Sequence, residues 1–320
     1  MNKKPLLLTY SLVFMVTALW GMNVVIIKIL VDDLPPQTMT AFRIMLAGAT
    51  ALAVVILGKS FRPLTKKEWI YILLGMLFGV VLHQSLIAFG LTMVDASIAS
   101  LILALVPLTT AILAVLFLGE KFTLLRAIGF MLALTGVFFI QGGSIHHLGF
   151  STGEIILFLA MFVQAASFIL IKKVTVTVDS KQVTALMSFF GSISLLIISF
   201  IVEPQGLSQM TSAPPFTYFL FFFSGIVISG GGHLIFNASI QKIGAAQTAV
   251  FNNFVPFFGL VSSAVFLNET ITISQSVGFV FIVTGVLFGT GYIEKQRELR
   301  IRKKEAQKKL PYCENGIHTS

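Results

Sequence analysis

Long runs of apolar residues, separated by short polar segments, make up most of the chain. A helix needs about 20 apolar residues to cross a bilayer, whereas a barrel strand is about half as long and alternates strictly. The runs are long and do not alternate, so they predict membrane-spanning helices. We predict an all-α integral membrane protein of ten helices, at residues 8–31, 39–58, 69–94, 97–118, 124–142, 152–171, 183–202, 216–241, 246–267 and 273–293.

Composition excludes the other large classes of protein. Only 11% of the residues are charged and 56% are hydrophobic, against roughly 25% charged in a soluble domain. So few charges do not cover a soluble surface, and Cys313 is the only cysteine, which excludes a disulfide scaffold. The first run follows Lys3 and Lys4, but it is too long for a signal peptide, so we expect a retained helix.

The basic residues predict the orientation. If the chain starts in the cytoplasm, 20 of its 22 lysines and arginines fall on that side, and Lys28 and Arg43 lie within spans. The positive-inside rule then places both termini in the cytoplasm. The net charge of +9 faces the anionic inner leaflet of the lipid bilayer and indicates no nucleic-acid partner. We expect a multi-pass protein of the cell membrane, most simply a bacterial plasma membrane.

An internal repeat divides the chain. Residues 96–142 align with 245–291 at an offset of 149, which pairs Pro107 with Pro256 and Glu120 with Glu269. We predict one five-helix repeat at 1–145, a second at 146–293, and a basic cytoplasmic tail at 294–320. Because five is odd, the second repeat enters the membrane inverted. Inverted repeats are typical of secondary transporters with a mid-membrane site between the halves, although a duplicated scaffold remains an alternative.

The repeated segments carry a recognisable signature. In the first half it comprises Ala96-Ser97-Ile98-Ala99-Ser100, Pro107, Phe117-Leu118-Gly119-Glu120-Lys121, Gly129 and Gly136-Val137. In the second half it comprises Ala245-Ala246-Gln247-Thr248, Pro256, Leu267-Asn268-Glu269, Gly278 and Gly285-Val286. These segments resemble the EamA-type branch of the drug/metabolite transporter superfamily, as do Trp20-Gly21 and Arg43.

The resemblance implies ten helices in two inverted halves and alternating access by a carrier that usually exports small metabolites. It implies no particular substrate. Two positions depart from the pattern: Asn268 stands where the first half has Gly119, and Met187 aligns with Arg43.

Polar residues within the spans are candidates for function, because they are costly in a bilayer. His83 and Gln84 lie near the middle of the third span, and the repeat places His233 opposite Gln84. Either histidine could bind substrate or couple a proton, or could simply be satisfied by a neighbouring helix. No carboxylate lies deep in a span, which disfavours a proton carrier built on a mid-membrane acid and disfavours a cationic substrate.

Further candidates lie near proline and glycine. Pro107 and Pro256 are expected to kink spans four and nine, and Gly230-Gly231-Gly232 can loosen span eight or permit close packing. Glu120 and Glu269 are expected to cap the helices that directly follow them. The remaining candidates for lining a cavity are Asn252, Asn253, Asn237, Gln164, Asn23 and Trp20.

Arg43, one turn inside the outer end of span two, has three possible roles. It could hold an anionic group, pair with Asp32, Asp33 or Asp95 to close an outer gate, or snorkel to the surface. Separately, Gly285 and Gly289 form a small-xxx-small pattern that weakly suggests a homodimer.

These features favour a secondary transporter for a small-molecule substrate, exporting an amino acid or related compound. A multidrug efflux carrier is the alternative within this class, and proton or exchange coupling is open. A membrane-embedded enzyme is the alternative outside it, but no H-E-x-x-H or G-x-S-x-G motif is present. A primary pump would need an ATP-binding motif, and the sequence contains no G-x-x-x-x-G-K-[ST]. We expect no cofactor and no metal, because His146-His147 has no third ligand at a suitable spacing.

Overall fold

The computed structural model describes residues 3–59, 61–119, 123–140, 150–243, 251–289 and 294, and every regular element in these ranges is helical. Glu120, His146, His147 and the tail beyond Glu294 lie outside the described residues. The α-helices are α1 Lys3–Asp33, α2 Pro36–Leu57, α3 Lys66–Met76, α4 His83–Leu91, α5 Ala96–Leu103, α6 Val106–Leu118, α7 Leu124–Ile140, α8 Thr152–Val174, α9 Ser180–Val202, α10 Gly206–Gln209, α11 Pro215–Phe222, α12 Gly232–Ile243, α13 Val255–Phe266 and α14 Ile273–Gly289.

Seven helical stretches in the described residues are long and apolar enough to cross a membrane. They are Leu8–Asp33, Pro36–Leu57, Lys66–Leu91, Ala96–Phe117, Thr152–Val174, Ser180–Val202 and Pro215–Phe236. Three shorter apolar helices match the other predicted spans: Leu124–Phe139, Val255–Phe266 and Ile273–Gly289. The protein is therefore a multi-pass membrane protein, while the number of ten crossings remains a prediction.

Two of the long stretches change their winding in the middle. Between α3 and α4 the chain forms a π-helix, Leu77–Leu82, and between α11 and α12 it forms a second one, Phe223–Gly231. The repeat offset of 149 carries the first onto residues 226–231, inside the second. The glycine run thus lies where the winding changes, although Gly230 also packs closely on Thr50. π-Helical turns leave the regular hydrogen-bond pattern and are frequent at functional sites.

Pro107 and Pro256 each lie at the second residue of a new helix rather than at a kink within a continuous one. Pro107 follows the break between α5 and α6, and Pro256 follows the 3-10 turn Phe251–Phe254. Proline has no N–H to donate, which is harmless in the first turn of a helix. The expected kinks are therefore interruptions followed by restarts.

The structure explains why Asn268 replaces Gly119 in the second half. Both residues have a positive φ, 68° at Gly119 and 54° at Asn268, just after α6 and α13. Glycine adopts this left-handed conformation freely, and asparagine tolerates it better than most residues. The departure from the repeat therefore preserves the turn.

Carboxylates stabilise several helix starts. Thr65 with Glu68 and Ser151 with Glu154 form capping boxes at α3 and α8. The prediction that Glu269 caps the helix directly after it is wrong. Glu269 accepts hydrogen bonds from the N–H groups of Ala96 and Ser97 at the start of α5, at 2.9 and 3.0 Å, while Thr272 and Gln275 cap α14.

Helix packing links the early and late parts of the chain reciprocally. Helix α2 packs along α9, and α7 along α14. Helix α1 packs on α12 and α13, while α8 packs on α4 and α6. These pairs place residues from both halves of the sequence around one interior.

Glycines allow α7 and α14 to touch closely. A Cβ atom added at Gly285 would lie 2.6 Å from the carbonyl oxygen of Gly129, and one added at Gly136 would lie 2.8 Å from that of Gly278. The pattern at Gly285 and Gly289 therefore serves packing within the chain. Because α7 covers this face of α14, the glycine pattern does not support a homodimer.

Candidate functional site

A cavity of about 570 Å³ lies in the interior of the helix bundle. Its walls come from helices in both halves of the chain, and most of the lining is apolar. Cavities of this size, apolar with a few convergent polar groups, are typical of small-molecule sites. The polar and aromatic side chains that line it are Trp20, Asn23, Arg43, His83, Gln84, Ser100, Gln164, Ser167, Phe168, Ser180, Lys181, Thr184, Ser188, Ser229, His233 and Phe236.

The lining extends to one end of the bundle only. At that end it includes Ser180 and Lys181, the first residues of α9. Towards the other end the described lining stops at Ile27, Ile87 and Ser100, several residues before α1 and α4 end and after α5 begins. The cavity is therefore asymmetric along the bundle.

Polar contacts join the helices at the end that the cavity does not reach. Lys28 donates a hydrogen bond to the carbonyl of Leu91 at 2.8 Å and pairs with Asp32 at 3.3 Å. Thr217 donates to Asp33. In addition, Glu203 accepts hydrogen bonds from the start of α2 and Glu269 from the start of α5. We call this the closed end.

Arg43 is the buried cation of the cavity wall, with 2% of its surface exposed. Its Nη2 donates to Oε1 of Gln84 at 2.7 Å, and its Nη1 donates to Oγ of Ser229 at 3.3 Å. Its Nε is buried without a hydrogen-bond partner among the described residues. In this conformation Arg43 pairs with none of Asp32, Asp33 and Asp95, the residues considered for an outer gate, and its burial excludes snorkelling here.

Both candidate histidines line the cavity, and each is held through Nδ1. That atom lies 2.9 Å from the carbonyl oxygen of Ala160 for His83, and 2.6 Å from that of Ser229 for His233. A carbonyl oxygen only accepts, so Nδ1 carries a proton in both rings and Nε2 of a neutral ring is left to accept. His83 is buried, whereas His233 is exposed and its ring lies against Trp20.

The other polar candidates differ in how fully they are satisfied. Trp20 donates from Nε1 to the carbonyl of Ile228 at 3.2 Å, and Asn23 accepts from the hydroxyl of Ser224 at 2.6 Å. Gln164 has a buried Oε1 with no partner among the described residues. This oxygen is therefore an unsatisfied acceptor close to the cavity.

The structure brings most of the sequence candidates together. Trp20, Asn23, Arg43, His83, Gln84, Gln164 and His233 all line the cavity, as do Pro107 and Pro256. Asn237 lies on α12, and Asn252 and Asn253 lie in the turn before α13. The side chains of these three asparagines are outside the described residues.

Sequence reasoning missed the hydroxyl residues and Lys181. Serine and threonine are common in apolar helices because they can bond to carbonyls one turn earlier, so Ser229 and Thr184 did not stand out. Ser229 had one available signal, its place directly before the glycine run. Lys181 was assigned to a cytoplasmic loop, although it also lines the open end of the cavity.

Two relatives match over nearly their whole length. The uncharacterized transporter YvbV of Bacillus subtilis (strain 168) is 29% identical over 314 residues, which cover 96% of this chain and 100% of that protein. A probable amino-acid metabolite efflux pump of Salmonella typhimurium is 26% identical over 306 residues, covering 91% of this chain and 97% of that protein.

A chain in a solved crystal structure has the same fold. The TM-score is 0.64 over 88% of this chain and 98% of that chain, with 16% sequence identity. A likeness at this identity concerns the fold alone.

A family model matches both halves of the chain. The model of the EamA-like transporter family matches twice, at residues 7–142 and 151–290. Together the two matches cover most of the chain and agree with the resemblance drawn from the repeated signature. The chain therefore belongs to the EamA-like transporter family and is a multi-pass membrane transporter.

Proposed function

We propose that this protein is a secondary transporter that exports a small metabolite, an amino acid or a related compound, across the plasma membrane by alternating access. The observation that carries the proposal is the cavity of about 570 Å³, which residues from both halves of the chain line and which contacts at the closed end seal on one side. Alternating access requires a site that is open to one face of the membrane while it is closed to the other. The substrate site is this cavity.

The positive-inside rule gives the cavity a direction. Lys181 is among the basic residues predicted to lie in the cytoplasm, and it lines the open end. The closed end carries Asp32, Asp33, Glu203 and Glu269, which the same rule assigns to the outside. In this orientation the conformation is open towards the cytoplasm, the state that loads a substrate for export.

The relatives support the choice of substrate. Two proteins that resemble this chain, from Salmonella typhimurium and Escherichia coli, bear the name probable amino-acid metabolite efflux pump. The driving force is a proton gradient or exchange, and His83 and His233, which both line the cavity, are the candidates for proton coupling.

Release of metabolites from cells tests this function. Cells that lack or overproduce the protein are supplied with amino acids, their analogues, organic acids and cationic drugs, and the medium is assayed for each compound. We expect overproduction to raise both tolerance and extracellular accumulation for one compound of the metabolite group. A variant that fills the cavity, Ala104→Trp, should abolish release, whereas Phe200→Trp on the exposed face of α9 should not.

Two results would contradict the proposal. Tolerance that is confined to cationic drugs would favour the multidrug alternative. Unchanged tolerance and unchanged release for every compound, in cells shown to hold the protein in the membrane, would contradict export.

A further inference from the structure

The charged groups that line the cavity are all positive in the described part of the chain. They are Arg43 near the closed end and Lys181 at the open end. No aspartate or glutamate lines the described walls, and the sequence places none deep in a span. Since the walls are otherwise mostly apolar, the field inside the cavity attracts anions and repels cations.

Arg43 lacks an acidic partner. Among the described residues its hydrogen bonds go to the neutral Gln84 and Ser229, and no carboxylate lies within ion-pair distance. A guanidinium remains charged in proteins and carries five N–H donors, of which these contacts use two. Nε is buried with no partner in this part of the chain, so the guanidinium keeps N–H donors that the protein does not use.

A buried cation without a counter-ion is costly to keep, because burial removes its hydration. The cost is offset when an anion enters the cavity and accepts hydrogen bonds from the guanidinium. Carboxylates suit this role because their two oxygens match the fork of an arginine side chain. Gln84 and Ser229 hold the guanidinium in place for such a contact.

The rest of the cavity indicates the other part of the ligand. Trp20 contacts the rings of His233 and Phe236, with centroid distances of 5.0 and 4.9 Å, and all three side chains line the cavity. Phe168 and Ile171 line it as well. These walls bind an apolar body and provide no carboxylate for an ammonium group.

We propose that the substrate is an organic anion that has a carboxylate bound by Arg43 and an apolar body against the aromatic wall. This inference rests on the proposed function, since it names the substrate class of the same cavity. It ranks a carboxylic acid without an ammonium group above the corresponding amino acid, and both above a cation. Lys181 increases the concentration of anions at the open end.

Three probes with the same apolar body and different charges test the proposal on the purified protein. They are 3-phenylpropanoate, 3-phenylpropanamide and 3-phenylpropylamine, titrated against the melting temperature of the protein in detergent. We expect the carboxylate to bind about 10- to 100-fold more tightly than the amide, because a hydrogen bond to a charged group is worth roughly that factor. The amine should bind more weakly still.

Variants then assign the preference to Arg43. Arg43→Gln should remove the preference for the carboxylate, and Arg43→Lys should retain part of it because the charge remains. Lys66→Gln removes a positive charge at the exposed start of α3, away from the cavity, and should leave the preference unchanged. The comparison of the three probes on the unmodified chain requires no variant to fold.

The results separate this proposal from the transport function. Four results would each overturn the assignment of an anion. They are equal binding of the three probes, tighter binding of the amine, no binding of the carboxylate, and a preference for the carboxylate that survives Arg43→Gln. A protein that releases a metabolite from cells and shows any of these results remains an exporter with a different substrate class. A protein that binds the carboxylate through Arg43 and releases nothing keeps this site and loses the proposed function.

Discussion

Glu203 is a carboxylate that joins two distant helices through their ends. It lies directly after α9, and its oxygens accept hydrogen bonds from the N–H groups of Gln37 and Thr38 and from the hydroxyl of Thr38, at 2.8 to 2.9 Å. Helix α2 has no side-chain cap of its own, because Pro35 precedes it. The free N–H groups and the dipole of α2 both favour a negative charge there.

Removing this carboxylate should destabilise the protein. We expect Glu203→Ala to lower the free energy of unfolding by about 1–2 kcal/mol, the usual cost of losing a helix cap. The measurement is the melting temperature in detergent. Asp95→Ala is the matched control, because Asp95 is exposed and makes no capping hydrogen bond at α5. Equal melting temperatures for the two variants would contradict a structural role for Glu203.

The sequence identified the amide, imidazole and guanidinium groups of the cavity, but neither its hydroxyl groups nor the partners of these side chains. Arg43 was a candidate because a charge in a span is costly, yet its partners Gln84 and Ser229 are 41 and 186 residues away. Only the packed helices define such contacts. For the same reason Glu269 was wrongly assigned to the neighbouring helix, whereas it caps α5, more than 170 residues earlier.

At the scale of whole helices, glycine contacts determine how closely α7 and α14 approach each other. The backbone of Gly129 lies against Gly285 and Gly289, and Gly136 lies against Gly278 and Ile282. Helices in a bilayer gain little from burying apolar surface, so close backbone contact is a principal source of their association. The pattern of small residues was visible in the sequence, but it did not say whether the partner was a second chain or α7.

A single methyl group at this contact should be disruptive. We expect Gly129→Ala to cost about 1–3 kcal/mol, because the added Cβ has no space between the two backbones. Gly231→Ala is the control, since the nearest atom to its Cβ is the carbonyl oxygen of Ile226 at an ordinary 3.6 Å. Thermal unfolding in detergent compares the two. A melting temperature of Gly129→Ala that equals that of the unmodified chain would argue against tight packing of α7 on α14.

The π-helices were predicted only in part. The glycine run suggested an irregular span eight, and the structure has a π-helix that ends within it. The π-helix Leu77–Leu82 had no comparable signal, because its only glycine is Gly79 and the rest of the segment is apolar. Winding at this level depends on neighbouring helices, which a pattern along one helix does not contain.

The whole molecule combines an asymmetric cavity with an asymmetric distribution of charge. Lys181 is at the open end, and the carboxylates Glu203 and Glu269 are at the closed end. The helical class and the family were predictable, because apolar length and a repeated signature are properties of the sequence. The position and depth of the cavity were not, because they depend on how α1, α8 and the π-helices pack.

Accessibility of one cavity position from the two faces of the membrane tests alternating access most directly. In a Cys313→Ser background, Ala104→Cys puts a thiol on the cavity wall. A membrane-impermeant thiol reagent is applied to intact cells and, separately, to inside-out vesicles. Thr92→Cys, exposed at the closed end between α4 and α5, is the control for sidedness and should react only in intact cells.

We predict rapid reaction of Ala104→Cys from the cytoplasmic face and slow reaction from the outer face. Adding Glu269→Ala should speed the outer reaction, because it removes the contacts that hold α5 at the closed end. Two results would contradict a carrier that opens to one side at a time. One is reaction from the cytoplasmic face alone, even with Glu269→Ala. The other is equally fast reaction from both faces, with either glutamate or alanine at position 269.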